Sequence, residues 1–225
     1  MLQIPSYQER LKDIVQYSYK ILCCKIAEGE FEINNEASLQ HQLSIIIKQI
    51  GQLFLFSSKE SFIIELERKV TMMRPTNKSP KIAKCDIWFT IRDDSNIKSE
   101  CAIEVKFFKY CKNTEATTDN RFSLLLDLEN LEQYKRQTNN LLCYSIVYTT
   151  NENYTKKNTS SGIKLTPTII SSFSRKLTKY VRNQNGGKKA IQQTINIHLD
   201  KEYPACWDIY KITQKFHGFL MVDMN

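Results

Sequence analysis

Three charged residues in the middle of the chain, Asp86, Glu104 and Lys106, are spaced so that they could act together. Glu104 and Lys106 lie in the otherwise apolar residues 102–108 (AIEVKFF), a run typical of a β-strand. Because side chains alternate along a strand, Glu104 and Lys106 point to one face while Val105 points into the core. Charges in such a run are costly unless they are paired, solvated or bound to a metal ion.

Asp86 stands at the start of the preceding predicted strand, residues 85–92, so its carboxylate is expected to reach the same place as Glu104. A plainer interpretation stays open, because a Glu-x-Lys pair also arises by chance as an ion pair on the exposed face of a strand. Residues 65–67 (ELE) show how readily alternation produces this spacing. The three residues therefore indicate a functional site only if the helices and strands around them have the order that brings them together.

Two helices are predicted before the strands. Apolar residues recur at helical spacing over residues 4–26 and again over residues 39–50. Asn34 or Asn35 is the expected N-cap of the second helix, and Gly51 is the expected stop.

The next part of the chain is predicted to form a sheet with one crossover helix. Apolar residues of that helix recur at Leu124, Leu128 and Leu131, which leaves Asp127 and Gln133 on its polar surface. A helix between the third and fourth strands requires a βαβ crossover, so the sequence predicts an α/β fold with a central mixed β-sheet flanked by helices. The predicted elements are strands at 62–70, 85–92 and 101–108, a hairpin turn at 93–96, a loop at 112–120, a helix at 124–138 and a strand at 141–150.

The whole chain is expected to be one domain, residues 1–225. It divides into an N-terminal helical extension, residues 1–33, a core, residues 34–150, and a C-terminal α/β extension, residues 151–225. The elements predicted in that last part are a loop at 151–162, a helix at 166–181 opened by Pro167, a Gly-containing loop at 183–189, and strands around 194–199, 207–212 and 218–222.

The order of acid, hairpin, Glu-x-Lys strand, helix and apolar strand resembles the PD-(D/E)XK nuclease superfamily. In that superfamily an acidic residue near a strand start is followed, after a hairpin, by a second acid, one further residue and a lysine. This chain has Asp86 and then Glu104-Val105-Lys106. The resemblance covers residues 34–150 and implies a restriction endonuclease-like core.

The resemblance also implies a metal site. Asp86 and Glu104 would ligate Mg²⁺, for which Mn²⁺ could substitute, with help from the Val105 carbonyl group and water molecules. The family often adds an acid from the helix before the first strand. Glu36 is the candidate for that ligand, and Glu67 is the alternative.

Two further roles follow from the resemblance. Lys106 would orient or deprotonate the attacking water molecule. Gln133 stands on the helix after the lysine strand, where some of these nucleases carry a glutamine that contacts the substrate or the lysine. One departure is that Cys85 precedes the first acid where the family pattern has proline, at a position without expected side-chain chemistry.

The composition favours a polyanionic partner. The 225 residues include 32 Lys and Arg against 24 Asp and Glu, for a net charge of +8. Six basic residues on the predicted last helix and the loop after it could form a phosphate track, although such a block is also typical of a solvated face. They are Arg175, Lys176, Lys179, Arg182, Lys188 and Lys189.

No membrane partner is expected, because no apolar run approaches the ~20 residues that span a bilayer. The N-terminus lacks the basic start and apolar middle of a secretory signal, so a cytoplasmic location is the expectation.

The resemblance, together with the basic composition, implies a metal-dependent endonuclease that hydrolyses DNA phosphodiester bonds in restriction or phage defence. RNA is the alternative substrate, and a homodimer is the candidate assembly. The alternatives are a structure-specific nuclease that acts on branched DNA, such as a junction resolvase, and a non-catalytic nucleic-acid-binding or interaction module of the same fold.

Overall fold

The computed structural model describes residues 4–72, 81–109, 114–156, 165, 168–169, 172–182, 188–212 and 215–225. These residues contain three α-helices and ten strands. The helices are α1 (Tyr7–Ala27), α2 (Glu36–Leu53) and α3 (Thr114–Gln137), and the strands are β1 (Glu60–Met72), β2 (Lys81–Asp93), β3 (Asn96–Phe108), β4 (Leu141–Thr149), β5 (Thr168–Ile169), β6 (Ser172–Arg182), β7 (Lys188–His198), β8 (Tyr203–Pro204), β9 (Trp207–Ile212) and β10 (Lys215–Asp223).

The two predicted N-terminal helices are confirmed. Helix α1 begins after Ser6, whose side chain accepts a hydrogen bond from the Glu9 N–H, and α2 begins after Asn35, which is its N-cap. Gly51 does not stop α2, which continues to Leu53. A Cβ atom at Gly51 would lie 2.5 Å from the ring of Phe62, so glycine permits close packing here. No helix in the described ranges is long and apolar enough to cross a membrane.

The centre of the fold is a mixed six-stranded sheet with the order β1-β2-β3-β4-β10-β9. The predicted hairpin is confirmed: β2 and β3 are antiparallel, and the turn residues Asp94 and Ser95 both have positive φ, 47° and 67°. The predicted crossover is also confirmed, because β3 and β4 are parallel and α3 connects them. These findings establish the α/β class.

The predicted loop at 112–120 is wrong from Thr114 onward, where α3 already begins. Residues 114–120 (TEATTDN) are polar but contain neither Gly nor Pro, and a polar run of this kind suits the outer turns of a helix as well as a loop. Residues 110–113 lie outside the described ranges, as does the polar segment 73–80 between β1 and β2.

The predicted helix at 166–181 is wrong, and the described residues of the C-terminal extension contain no α-helix, so its predicted α/β character is not found there. Most of the segment forms β6, which pairs with β7 in an antiparallel hairpin. Phe173, Leu177 and Val181 recur every four residues, a spacing that fits a helical stripe and also alternate positions of a strand. Backbone pairing with β7 therefore determines that this segment forms a strand and not a helix. Residues 183–187, between the two strands, lie outside the described ranges.

The C-terminal strands complete the central sheet. Strand β10 pairs with β4 and β9 pairs with β10, both antiparallel, so the predicted strands at 207–212 and 218–222 are confirmed. Helices α1 and α2 pack on one face of the sheet, against residues such as Phe89 and Val105. Helix α3 packs on the other face, against residues such as Ala102 and Val147. The side chains of β3 from Ser99 to Phe108 are therefore buried or half-buried between two helical layers.

Candidate active site

Asp86 lies where β2 separates from β3. The backbone pairing of the two strands begins at Ile87, which is opposite Ile103. One residue before Ile87, Asp86 contacts β3 through its side chain. Its Oδ2 atom accepts a hydrogen bond of 2.7 Å from the backbone N–H of Val105. This bond fixes the Asp86 carboxylate beside Glu104 and Lys106, so the structure brings together the three residues that the sequence singled out.

The backbone around Asp86 is held by the neighbouring strand and by α2. Glu67 falls opposite Asp86 in the register of β1 and β2 and has a positive φ of 54°, which interrupts the ladder at that point. The Nε2 atom of Gln40, on α2, donates a 2.6 Å hydrogen bond to the Asp86 carbonyl and lies 3.4 Å from Oε1 of Glu67. Gln40 is thus a supporting residue that the sequence analysis missed.

Glu104 is almost fully enclosed, with 3% of its surface exposed. Its Oε1 atom accepts a long hydrogen bond, 3.4 Å, from the Tyr134 hydroxyl group on α3. Burial raises the pKa of Glu104 well above its usual range, and the nearby carboxylates of Asp127 and Asp86 raise it further. Burial also raises the pKa of Asp86, although the Val105 N–H acts in the opposite direction.

Lys106 is held between two carboxylates from opposite sides of the sheet. Its Nζ atom lies 3.1 Å from Oε1 of Glu36, at the start of α2, and 2.9 Å from Oδ2 of Asp127, on α3. Burial alone would lower the pKa of Lys106, but these two carboxylates outweigh it and hold the pKa above its ordinary value. The side chain is therefore an ammonium ion at neutral pH and acts here as a cation.

Asp127 is the acidic residue of this cluster that the sequence analysis placed elsewhere, on the polar surface of α3. Its side chain is only 16% exposed, and burial raises its pKa to about 6. A signal for it existed in the sequence. Asp127 is three residues after Leu124 and four before Leu131, so it shares the apolar face of the helix, where an unpaired charge is unexpected.

The cluster carries an excess of acid. Four carboxyl groups, those of Glu36, Asp86, Glu104 and Asp127, surround the single ammonium group of Lys106. The raised pKa values of Asp86, Glu104 and Asp127 are the expected response of such a site, which a proton or a bound cation would relieve.

The donor chemistry fits Mg²⁺ in part. Within the described ranges no group of three or more His, Cys, Asp or Glu side chains is arranged to hold a metal ion. Mg²⁺, however, usually binds through one or two carboxylates and keeps several water molecules. Asp86 and Glu104 supply two such carboxylates, and Val105 between Glu104 and Lys106 supplies a backbone carbonyl group. Glu36 contacts Lys106, and its role as a metal ligand stays a prediction.

The other two predicted residues near the site, Gln133 and Glu67, make no described contact with Lys106. Gln133 is half-buried on α3, and the α3 side chain that contacts Lys106 is Asp127. Glu67 forms an ion pair with Lys84, 3.1 Å away. All members of the predicted phosphate track lie on the β6–β7 hairpin, and their side chains are outside the description: Arg175, Lys176, Lys179, Arg182, Lys188 and Lys189.

No known protein family, curated protein or solved structure matches the chain.

Proposed function

We propose that this protein is a metal-dependent nuclease with a restriction endonuclease-like core that hydrolyses DNA phosphodiester bonds, with RNA as an alternative substrate. The observation that carries the proposal is the convergence of Asp86, Glu104 and Lys106 from two neighbouring strands onto one buried acidic cluster. The order of elements supports it, because a hairpin, a crossover helix and a parallel fourth strand surround the cluster.

Each residue has a separate role in the proposed reaction. Asp86 and Glu104, with the Val105 carbonyl group, would hold Mg²⁺ or Mn²⁺, and a bound ion offsets charge on the phosphate and makes a water molecule more acidic. Lys106 remains protonated, so it would orient the attacking water molecule or contact a phosphate oxygen as a cation. Asp127, and Glu36 until substrate binds, would position the Lys106 ammonium group.

The alternative of a non-catalytic module has one observation in its favour: Lys106 is fully paired, as a structural ion pair would be. Four acids around one lysine are more than such a pair requires, which favours the enzyme. A junction-specific nuclease would use the same cluster and differs only in its substrate.

The deciding experiment is cleavage of a supercoiled plasmid with Mg²⁺ and with excess chelator, alongside a four-way junction and an RNA duplex. Asp86→Asn, Glu104→Gln and Lys106→Ala should each abolish Mg²⁺-dependent cleavage while DNA affinity is largely kept, because phosphate contacts elsewhere supply binding.

Two matched variants serve as controls for that experiment. Lys98→Ala removes an exposed lysine from the same strand, and Glu132→Gln neutralises a buried carboxylate on α3 that bonds Tyr203 rather than Lys106. Both should cleave normally. Absence of cleavage of every substrate, or equal activity in the Lys106→Ala variant, would overturn the proposal.

Restriction or phage defence is the proposed biological role, in the cytoplasm. Cutting both strands of a duplex is easiest for a homodimer, because one site cuts one strand. Light scattering of the chain with and without DNA tests this, and a monomer in both conditions would contradict it.

A further inference from the structure

Beside the candidate active site, β1 and β2 continue as a two-stranded ribbon beyond the point where β2 separates from β3. The pairing of β2 with β3 starts at Ile87, whereas the pairing of β2 with β1 extends to Lys81. We call this ribbon, residues 68–72 and 81–85, the basic arm. Its pairs are Arg68 with Cys85, Lys69 with Lys84, Val70 with Ala83, Thr71 with Ile82 and Met72 with Lys81.

The basic arm has one buried and one exposed face. Met72, Ala83 and Cys85 are buried, and Val70 packs against the same core. The side chains that alternate with them are exposed: Lys69, Thr71, Ile82 and Lys84. The arm is therefore anchored to the domain through its apolar face, and it presents lysines on the other.

The charge of this segment has a single sign. Residues 68–85 contain six Lys and Arg and no acidic residue, and Arg74 and Lys78 among them lie outside the described ranges. Lys69 and Lys84 are directly opposite each other on the exposed face. Like charges in directly opposed positions destabilise a strand pair, so this arrangement indicates an anionic partner.

The one acid near these two lysines does not neutralise them. Lys84 lies 3.1 Å from the Glu67 carboxylate, but the two side chains are 59% and 48% exposed. An ion pair with this exposure contributes little and exchanges readily with another anion. In the described part of the chain, Lys69 has no carboxylate within ion-pair distance.

The basic arm begins at the candidate active site. Lys84 is two residues from Asp86, about 7 Å along an extended strand. Gln40 contacts both Asp86 and Glu67, so α2 supports the base of the arm. The arm is therefore within reach of a polymer whose backbone enters the acidic cluster, and the acid-rich cluster itself needs cationic groups nearby to hold an anionic substrate.

From these observations we propose that the basic arm binds the phosphate backbone of duplex DNA next to the bond that is cut, through Lys69 and Lys84. The inference rests on the proposed nuclease function for the identity of the partner. It adds the binding surface, which lies on β1 and β2 and is separate from the block on β6 and β7.

The test is the salt dependence of binding to a labelled DNA duplex, measured with chelator present so that it is independent of cleavage. Lys69→Ala/Lys84→Ala should weaken binding equally for all sequences and reduce the slope of log affinity against log salt by about 1.8, since each phosphate contact contributes about 0.9. The matched control is Lys59→Ala/Lys98→Ala, which removes two exposed lysines at the other end of the same sheet and should leave the slope unchanged.

A slope equal to that of the unmodified protein would overturn the inference. So would an equal loss in both lysine pairs, which would reflect net charge alone. DNA binding through the arm without any Mg²⁺-dependent cleavage would refute the nuclease and leave the arm standing, whereas plasmid cleavage with an unchanged slope would refute the arm alone.

Discussion

Replacing Asp127 by asparagine should make the protein more stable and less active. Asp127 is one of four acids around Lys106, and burial raises the pKa of its carboxyl group from its ordinary 3.8 to about 6, even with Lys106 at 2.9 Å. A raised pKa means that the folded state disfavours the ionised form. Asparagine has nearly the same shape and mimics the protonated carboxyl group.

The magnitude follows from the rise in pKa, which corresponds to roughly 3 kcal/mol when Asp127 is fully ionised. At pH below about 3.8 the carboxyl group is neutral in both the folded and the unfolded chain, so Asp127→Asn should not change stability there. As the pH rises from about 3.8 to about 6, only the unfolded chain releases its proton, so the unmodified protein loses stability relative to the variant. Above about pH 6 the full difference should remain.

Urea unfolding of both proteins with chelator present, at about pH 4 and about pH 8, measures the difference. Glu129→Gln, a change of the same charge on the same helix away from Lys106, is the control and should shift the free energy of unfolding by less than about 0.5 kcal/mol. The Asp127→Asn variant should also cleave more slowly, because Lys106 loses its buried anchor. A variant that is less stable than the unmodified protein at about pH 8 would refute this reasoning, since the ion pair with Lys106 would then dominate.

Further predictions concern other parts of the molecule. Mg²⁺ at about a hundred times its dissociation constant should raise the free energy of unfolding by about 2.7 kcal/mol in the unmodified protein but not in Glu104→Gln, and an equal effect in both would exclude Glu104 as a ligand. Arg10→Leu should lower the free energy of unfolding by about 3–5 kcal/mol in urea, because Glu60 would lose its buried partner at 2.9 Å; a loss below about 1 kcal/mol would contradict this. Replacing three basic residues of β6 by alanine should reduce the salt slope of DNA binding by about 0.9 per contact, and an unchanged slope would identify a solvated surface; these residues are Arg175, Lys179 and Arg182.

The part of the site that follows from local geometry could be predicted from the sequence. Alternation along a strand is enough to place Glu104 and Lys106 on one face, and the hairpin turn before β3 brings Asp86 to the adjacent strand. The spacing of Asp127 to Leu124 and Leu131 indicates the apolar face of α3, but its contact with Lys106 depends on how α3 packs against the sheet, which the spacing does not define.

The main error in the predicted fold is the helix at 166–181, and it arises from long-range strand pairing. Residues 172–182 have a pattern that suits two kinds of element, and only the partner strand β7 decides between them. The pairing of β10 with β4 could not be predicted for the same reason, because it joins residues that are far apart in the chain, such as Val147 and Leu220. The role of Gly51 could not be predicted from the local sequence either, since its closeness to Phe62 is set by packing between α2 and β1.

A structural ion pair and a catalytic site at Lys106 predict opposite changes in the free energy of unfolding when a neighbouring acid is neutralised. An ion pair that serves the fold needs one buried acid for one buried lysine, and neutralising that acid destabilises the protein. Here Glu104 and Asp127 both have raised pKa values, so neutralising either one should stabilise it. Ionised groups that destabilise the folded state in this way are concentrated at functional sites, where a substrate or a bound cation balances the excess charge. If the variants that gain stability are the ones that lose cleavage, the cluster exists for the reaction; if they gain stability and cleave normally, its excess acid has another origin.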